Sequence, residues 1–335
     1  MQGTTAIISS GALAAYPLGL RLLAIAALIV LAGSLMAKWE GGNQQATLER
    51  LISRVFIPCL VFASLNRTPL TLSEALIMAG AALLYSSACY PLARWWLSRN
   101  AAEKTEVWGP LLFSSSATLL LPLAYLLFGS QGLTKAAFFH LTALLLYYTV
   151  GKWSAGMPAQ LGAFLKTPTL HAVLIALLLA LLEIDLPQQV DELLWLVEKG
   201  IGMMALGALP VLLMSHGYAL CCLRLQGGSY WSPVALIRAL WLPLLAVLAI
   251  AVLRLSGLAP LDKGYDLLHY LDLRTTEAIL LLAAALPCTV SLLQQPKTDS
   301  ELSPRTTSLV LASSLYALFV IVLTVMAINR YLFSS

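Results

Sequence analysis

Four hydroxyl-bearing residues in one apolar stretch, Ser114, Ser115, Ser116 and Thr118, lie within eight residues of Pro122. A second apolar stretch carries Pro287-Cys288-Thr289, followed by Ser291. Proline removes a backbone donor and clashes with the preceding turn, so nearby carbonyls lose their partners and a helix opens. In hydrocarbon an opened turn survives only where it is buried in protein or lines a wet cavity. Two such helices crossing near the middle of a bilayer would aim main-chain dipoles and hydroxyls at a common point. Half-helix N-termini there favour an anionic group. The chemistry on offer is recognition of a carboxylate-like group, not bond making. Ser and Thr also pack membrane helices closely or bond back to their own carbonyls. For Ser291 that packing account is the stronger one.

Charged and titratable residues inside apolar stretches are functional candidates by default. Arg238 lies six residues into its stretch, where it can snorkel to an interface or reach a substrate or a buried acid; Arg254 lies near the far end of the same stretch and is expected to snorkel. Glu277 stands ten residues before Pro287, about 15 Å along a helix, and reads as interfacial. His140 reads as a neutral, hydrogen-bonded histidine at membrane depth, whereas His171 and His216 fall near expected helix ends. No pair of carboxylates lies mid-span, which argues against the usual equipment of an ion-driven carrier. There is no Gly-rich phosphate loop, no HExxH and no GxSxG at a strand-to-helix turn, so no enzymatic activity and no cofactor are expected. The five cysteines have no metal-ligand spacing and read as small core residues.

The elements that must carry these residues are membrane helices. The chain is 59% hydrophobic and 11% charged, far from the roughly 25% charged residues of a soluble domain. Its mean hydropathy is +0.84. A net charge of +4 spread in this way gives no reason to expect nucleic acid as a partner. No basic n-region precedes the first apolar run, so no signal peptide is expected. Hydropathy and breakers give ten spans, at 16–37, 48–66, 73–97, 106–128, 133–155, 168–184, 192–221, 232–256, 275–295 and 305–331. Thr47 is placed to cap the second span. Gly200, Gly202 and Gly207 in the seventh are placed for close helix packing.

The spans repeat. Pro58 and Pro91 are 33 residues apart, as are Pro210 and Pro243, and Pro122 and Pro287 follow as a third pair. The third pair requires 13 extra residues in the second half, assigned to a loop at 259–272. Interrupted hydrophobic segments at matching places mark a secondary transporter built from two halves. We expect one membrane domain: residues 1–155 as the first five-helix repeat, 156–167 as a cytoplasmic linker and 168–335 as the second repeat. Five spans per half give the repeats opposite orientations. Basic residues such as Arg94, Arg99, Lys104 and Lys166 concentrate in one set of loops, which puts those loops in the cytoplasm and both termini outside. All tryptophans but Trp241 cluster near expected span ends, as interfacial belts do.

Three segments carry a family likeness. Residues 48–65, around Arg54 and Pro58, resemble the second span of the auxin efflux carrier family, which includes bacterial malate and malonate permease-like proteins. Residues 164–218, with Leu165-Lys166-Thr167-Pro168 and Ala208-Leu209-Pro210, are similar to its sixth and seventh spans. Ala284-Ala285-Leu286-Pro287, with the polar turn from Gln294 to Pro304 and the long last span, fits its C-terminal end. The resemblance implies an all-α polytopic membrane protein with ten transmembrane helices, in two inverted five-helix repeats with helices 4 and 9 broken and crossed. It also implies organic-anion transport across the cytoplasmic membrane and homodimers. The family's asparagines at the two breaks are replaced here by Ser115 and Ser291, and its polar fifth-span positions by His140, Ala143 and Leu144. A hydroxyl offers one donor where an amide offers two, so a larger, more apolar or lipid-like anion becomes easier to accommodate than a small dicarboxylate. A subunit that keeps the fold and binds a partner membrane protein without transporting remains the competing expectation. The candidate substrate-binding set is Ser114, Ser115, Ser116, Thr118, Pro122, His140, Arg238, Pro287, Cys288, Thr289 and Ser291.

Overall fold

Apolar runs of this length satisfy their backbone in hydrocarbon only by closing into helices, and helices are what form. The computed structural model describes residues 18–40, 44–68, 71–99, 104–182, 188–225, 229–255, 267–289 and 304–333. In chain order, α1 is Leu18–Glu40, α2 covers 45–67, α3 is Leu72–Arg99 and α4 is Lys104–Leu112. Then α5 covers 116–154, α6 is Pro168–Leu182 and α7 is Gln188–Leu225. Last come α8, Pro233–Leu255, α9, Leu267–Ala285, and α10, Pro304–Phe333. Among the described residues, six helical stretches are long and apolar enough to cross a membrane: α1, α3, α5, Trp195–Arg224 within α7, α8 and 304–330 within α10. Among the described residues the only extended pairing is an isolated bridge between Ser114 and Cys288.

Proline shapes these helices in two ways. Pro58 and Pro122 each follow a π turn, Ile52–Phe56 and Ser116–Leu120. A wider turn moves the carbonyl that the ring would strike and excuses the missing donor. Pro91, Pro210 and Pro243 lie inside continuous helices. Pro287 alone among the six stands in an extended segment, after α9 ends at Ala285. Pro122 and Pro287, expected to correspond in the repeat, thus hold different local structures. Helix α9 also begins at Leu267, inside the loop expected at 259–272. Within α5 the helix breaks at Gly129, whose φ of 65° and ψ of −151° suit glycine. Thr47 falls inside the first turn of α2, where Gln44 holds the cap position.

The helices sort into two packed groups. α1 runs along α7, and α2 packs on α6 and α7. In the other group α3 packs on α4 and α5, α5 on α9, and α8 on α9 and α10. Each group draws helices from both ends of the chain. The α1–α7 seam is tight because it is built on glycine: a Cβ at Gly33 would strike the carbonyl of Met214, and one at Gly217 that of Val30. Ser34 then donates to the Gly217 carbonyl at 2.9 Å. Gly200 and Gly207 face open space, which corrects the expectation that they seat a neighbour. Trp108 is buried and stacks on Tyr90 with ring centroids 5.5 Å apart, so it is not part of an interfacial belt.

Among the described residues, two ion pairs stand within the second group. Thr71 and Glu74 form a capping box at the start of α3, with the Thr71 N–H donating to Glu74 Oε2 at 3.1 Å. The other Glu74 oxygen meets Lys135 Nζ of α5 at 2.7 Å, and Lys135 also donates to Thr276 Oγ1 of α9 at 2.8 Å. Lys135 is 1% exposed. Arg254 does not snorkel alone: its Nε meets Glu277 Oε1 at 2.7 Å.

Two outcomes follow for purified protein in detergent. Gly217→Val should cost about 1–3 kcal/mol by overpacking the α1–α7 seam, while Gly200→Ala leaves thermal unfolding unchanged or slightly improved. Lys135→Met strands a buried carboxylate and should cost about 3–5 kcal/mol. Lys135→Met with Glu74→Gln should recover much of that loss, and a double variant no better than the single would contradict the pairing.

Candidate functional site

The two breaks meet. The backbone leaves the helix at Phe113–Ser115, between α4 and the π turn that opens α5, and again at Leu286–Thr289 after α9. Ser115 N–H donates to the Pro287 carbonyl at 3.0 Å, and Thr289 N–H donates to the Phe113 carbonyl at 3.1 Å. These two bonds are related by a local two-fold axis passing between Ser114 and Cys288. Matching those two residues equates positions 174 apart, whereas the proline pairs Pro58/Pro210 and Pro91/Pro243 are 152 apart.

Side chains complete the junction. Ser115 Oγ donates to the Cys288 carbonyl at 3.1 Å, and the Cys288 N–H donates to Ser313 Oγ of α10 at 2.9 Å. Arg238 of α8 reaches across both segments, from Nη1 to the Leu286 carbonyl at 3.2 Å and from Nη2 to Ser114 Oγ at 2.8 Å. The thiols of Cys89 and Cys288 border the same guanidinium. Arg238 is only 2% exposed, its Nε has no hydrogen-bond partner, and no carboxylate among the described residues pairs with it. A buried cation without a counter-charge is costly, and it attracts any anion that can reach it.

Two histidines flank the π turn. His140 Nδ1 lies 2.8 Å from Ser116 Oγ, and His216 Nδ1 lies 3.2 Å from Thr118 Oγ1. Both rings are buried. His216 stands well inside α7, not near its end, and the sequence reading missed it. Its one sequence signal is that it is a lone titratable residue six positions after Pro210. A cavity of about 70 Å³ beside the junction is lined by Ser114, Ser115, Ser116, Thr118, His140 and Thr289, with aromatic walls from Phe113 and Tyr147. A larger hollow of about 560 Å³ opens between α1 and α10, is almost wholly apolar, and reaches His216 and Pro287.

Six of the candidate residues therefore share one cavity. Cys288 and Arg238 stand at the junction beside it, and Pro287 lines the larger hollow. Pro122 is buried within α5, past the π turn, and lines neither. Ser291 lies outside the described residues. Among the described residues no cluster of His, Cys, Asp or Glu has the makings of a metal site. What the junction offers is hydroxyls, a guanidinium and two imidazoles, largely buried, the donor set for an anion.

No protein-family model matches the chain. A curated protein of Methanothermobacter thermautotrophicus, described as an uncharacterized transporter, is similar to it, with 27% identity over 115 residues. That similarity covers 33% of this chain and 38% of the relative, so the chain matches well under half the length of that protein.

Proposed function

We propose that the chain is a secondary transporter of an organic anion, working by alternating access at the junction of the two breaks. The single observation that carries this reading is Arg238, a buried guanidinium with a free Nε and no carboxylate partner among the described residues. A carboxylate arriving at Ser114–Ser116 supplies the missing counter-charge through charge-assisted hydrogen bonds. The similarity to a protein described as a transporter supports the transport role.

In this reading the chain has ten spans in two inverted five-helix repeats, as in the auxin efflux carrier family. The meeting of one opened segment from each half of the chain supports that reading. Movement is a rocking of the α1, α2, α6, α7 group against the remaining helices. The protein sits in the cytoplasmic membrane with both termini outside, following the distribution of basic loops.

The cavity of about 70 Å³ beside the junction can take a carboxylate group, but pockets that hold a whole small molecule run to roughly 300–1,000 Å³. The rest of the substrate therefore needs the two groups to part. A second reading, translocation of a lipid-like anion, is favoured by the apolar hollow between α1 and α10, which leads from the bilayer side to His216 and Pro287.

Purified protein in liposomes should take up one member of a panel of mono- and dicarboxylates saturably. Arg238→Gln should reduce uptake by about tenfold or more, the loss of roughly 1.4 kcal/mol or more of recognition. Ser115→Leu should abolish it. Absence of both flux and thermal stabilisation across the panel, with a partner protein co-purifying stoichiometrically, would overturn the carrier reading.

A further inference from the structure

We propose that His140 binds a proton that enters the site together with the anion and is carried across with it. The inference rests on the anion site proposed above and names its second ligand. His140 and Ser116 line the same cavity of about 70 Å³, with Ser116 Oγ 2.8 Å from His140 Nδ1. Among the described residues no carboxylate lines that cavity. A side chain that takes and releases a proton there is therefore of another kind, and imidazole is the one that does so near neutral pH. The donor count follows from the pair. Uncharged, the ring carries one N–H and the serine one O–H, and their mutual bond uses one of the two. One donor is left for an anion, whichever tautomer is present. A proton from water, taken up at the bare ring nitrogen, gives the ring two N–H groups. One donates to Ser116 Oγ, which leaves the second N–H and the serine O–H both free to give. Protonation thus doubles the donors of the pair and adds the charge that an anion needs.

The surroundings make this proton conditional on the anion. Helix α8 contributes Arg238, which donates to Ser114 Oγ on the cavity wall at 2.8 Å. Helix α5 itself contributes Tyr147 on the same wall, with Lys152 Nζ 4.9 Å from the Tyr147 ring. The Lys135–Glu74 ion pair lies five residues back along α5. The segment after α9 contributes Cys288, beside Arg238. Tyr85 of α3 packs on Phe139 and donates to the Leu280 carbonyl. His216 of α7 meets Thr118 of the π turn. Helices α1, α2, α4 and α10 place no described residue on the cavity wall. Apart from the ion pair, the charges in this set are cations, and in the empty site they oppose a further positive charge on the ring. An anion held at Ser114–Ser116 reverses that opposition. Opposite charge about 4–6 Å away raises proton affinity by roughly tenfold to a thousandfold. By reciprocity the proton strengthens anion binding by the same factor. Anion and proton enter together and leave together.

The test is proton uptake by the whole purified protein on binding oxalate, benzoate or octanoate, all fully ionised at the pH used. A pH indicator in weakly buffered detergent solution records the protons, and calorimetry records the binding. Wild-type protein should take up about half a proton or more per bound anion, and lowering the pH from about 7.5 to about 6.5 should tighten binding at least about threefold. His140→Asn keeps an amide N–H near the place of Nδ1 but has no site for a proton. It should bind the probe with no uptake and with an affinity independent of pH. His171→Asn, at an exposed histidine of α6 bonded to the Thr167 carbonyl, should behave as wild type. Binding without proton uptake in the wild type would overturn the inference and leave the anion site standing, and that measurement needs no variant to fold. A pH dependence that survives in His140→Asn would overturn it equally. No binding of any of the three probes would overturn the anion site and this inference together.

Discussion

A helix opened inside a bilayer exposes main-chain groups to a solvent that cannot hydrogen-bond them, at several kcal/mol each. Every feature of the junction follows from that constraint. The opening at Phe113–Ser115 is tolerable because the opening at Leu286–Thr289 supplies its complement, and the reverse holds equally. Neither break would be stable alone. Arg238, Ser115 and Ser313 then occupy groups that the two backbones leave over. This mutual satisfaction ties α4, α5, α8, α9 and α10 together around one point. It also concentrates polar atoms where the rest of the protein is apolar.

The charges show the same economy. Lys135 and Glu74 satisfy one another, with Thr71 and Thr276 taking the remaining directions, and Arg254 and Glu277 form a second pair. Such pairs tie α3, α5, α8 and α9 together without contributing a vacant charge. Arg238 stands apart from them: its contacts are a carbonyl, a hydroxyl and thiols, all neutral in charge or only weakly polar. Among the described residues, these two compensated pairs contrast with the buried Arg238 guanidinium, which has no carboxylate partner.

Much of this was legible in the sequence because membrane helices obey few rules. The spans expected at 16–37, 73–97, 232–256 and 305–331 fall on Leu18–Glu40, Leu72–Arg99, Pro233–Leu255 and Pro304–Phe333. The Ser114–Ser116 and Pro287–Thr289 segments were recognisable as openings, since hydroxyls and proline together mark backbone that leaves the helix. Their register was not recognisable. Proline shows where a donor is missing, but Pro122 resolves that with a π turn and Pro287 with an extended segment. The close-packing glycines were also misassigned: Gly33 and Gly217 matter because of which carbonyls lie opposite them, and a single sequence does not say which helix is opposite. His216 and the Lys135–Glu74 pair were missed for the same reason. Each is a lone polar residue near apolar neighbours, and its meaning comes from a partner 61 or more positions away.

The central claim, that the two opened segments face one another at Ser114 and Cys288, can be tested by cross-linking. Directly opposed residues of a non-hydrogen-bonded antiparallel pair lie about 4.5 Å apart at Cα, within the range a disulfide spans. In protein with Cys59, Cys89, Cys221 and Cys222 replaced by alanine, Ser114→Cys should join Cys288 rapidly under mild oxidation, seen as loss of two hydrogens in the intact mass. Two thiols that stay free and alkylatable under those conditions would contradict the account.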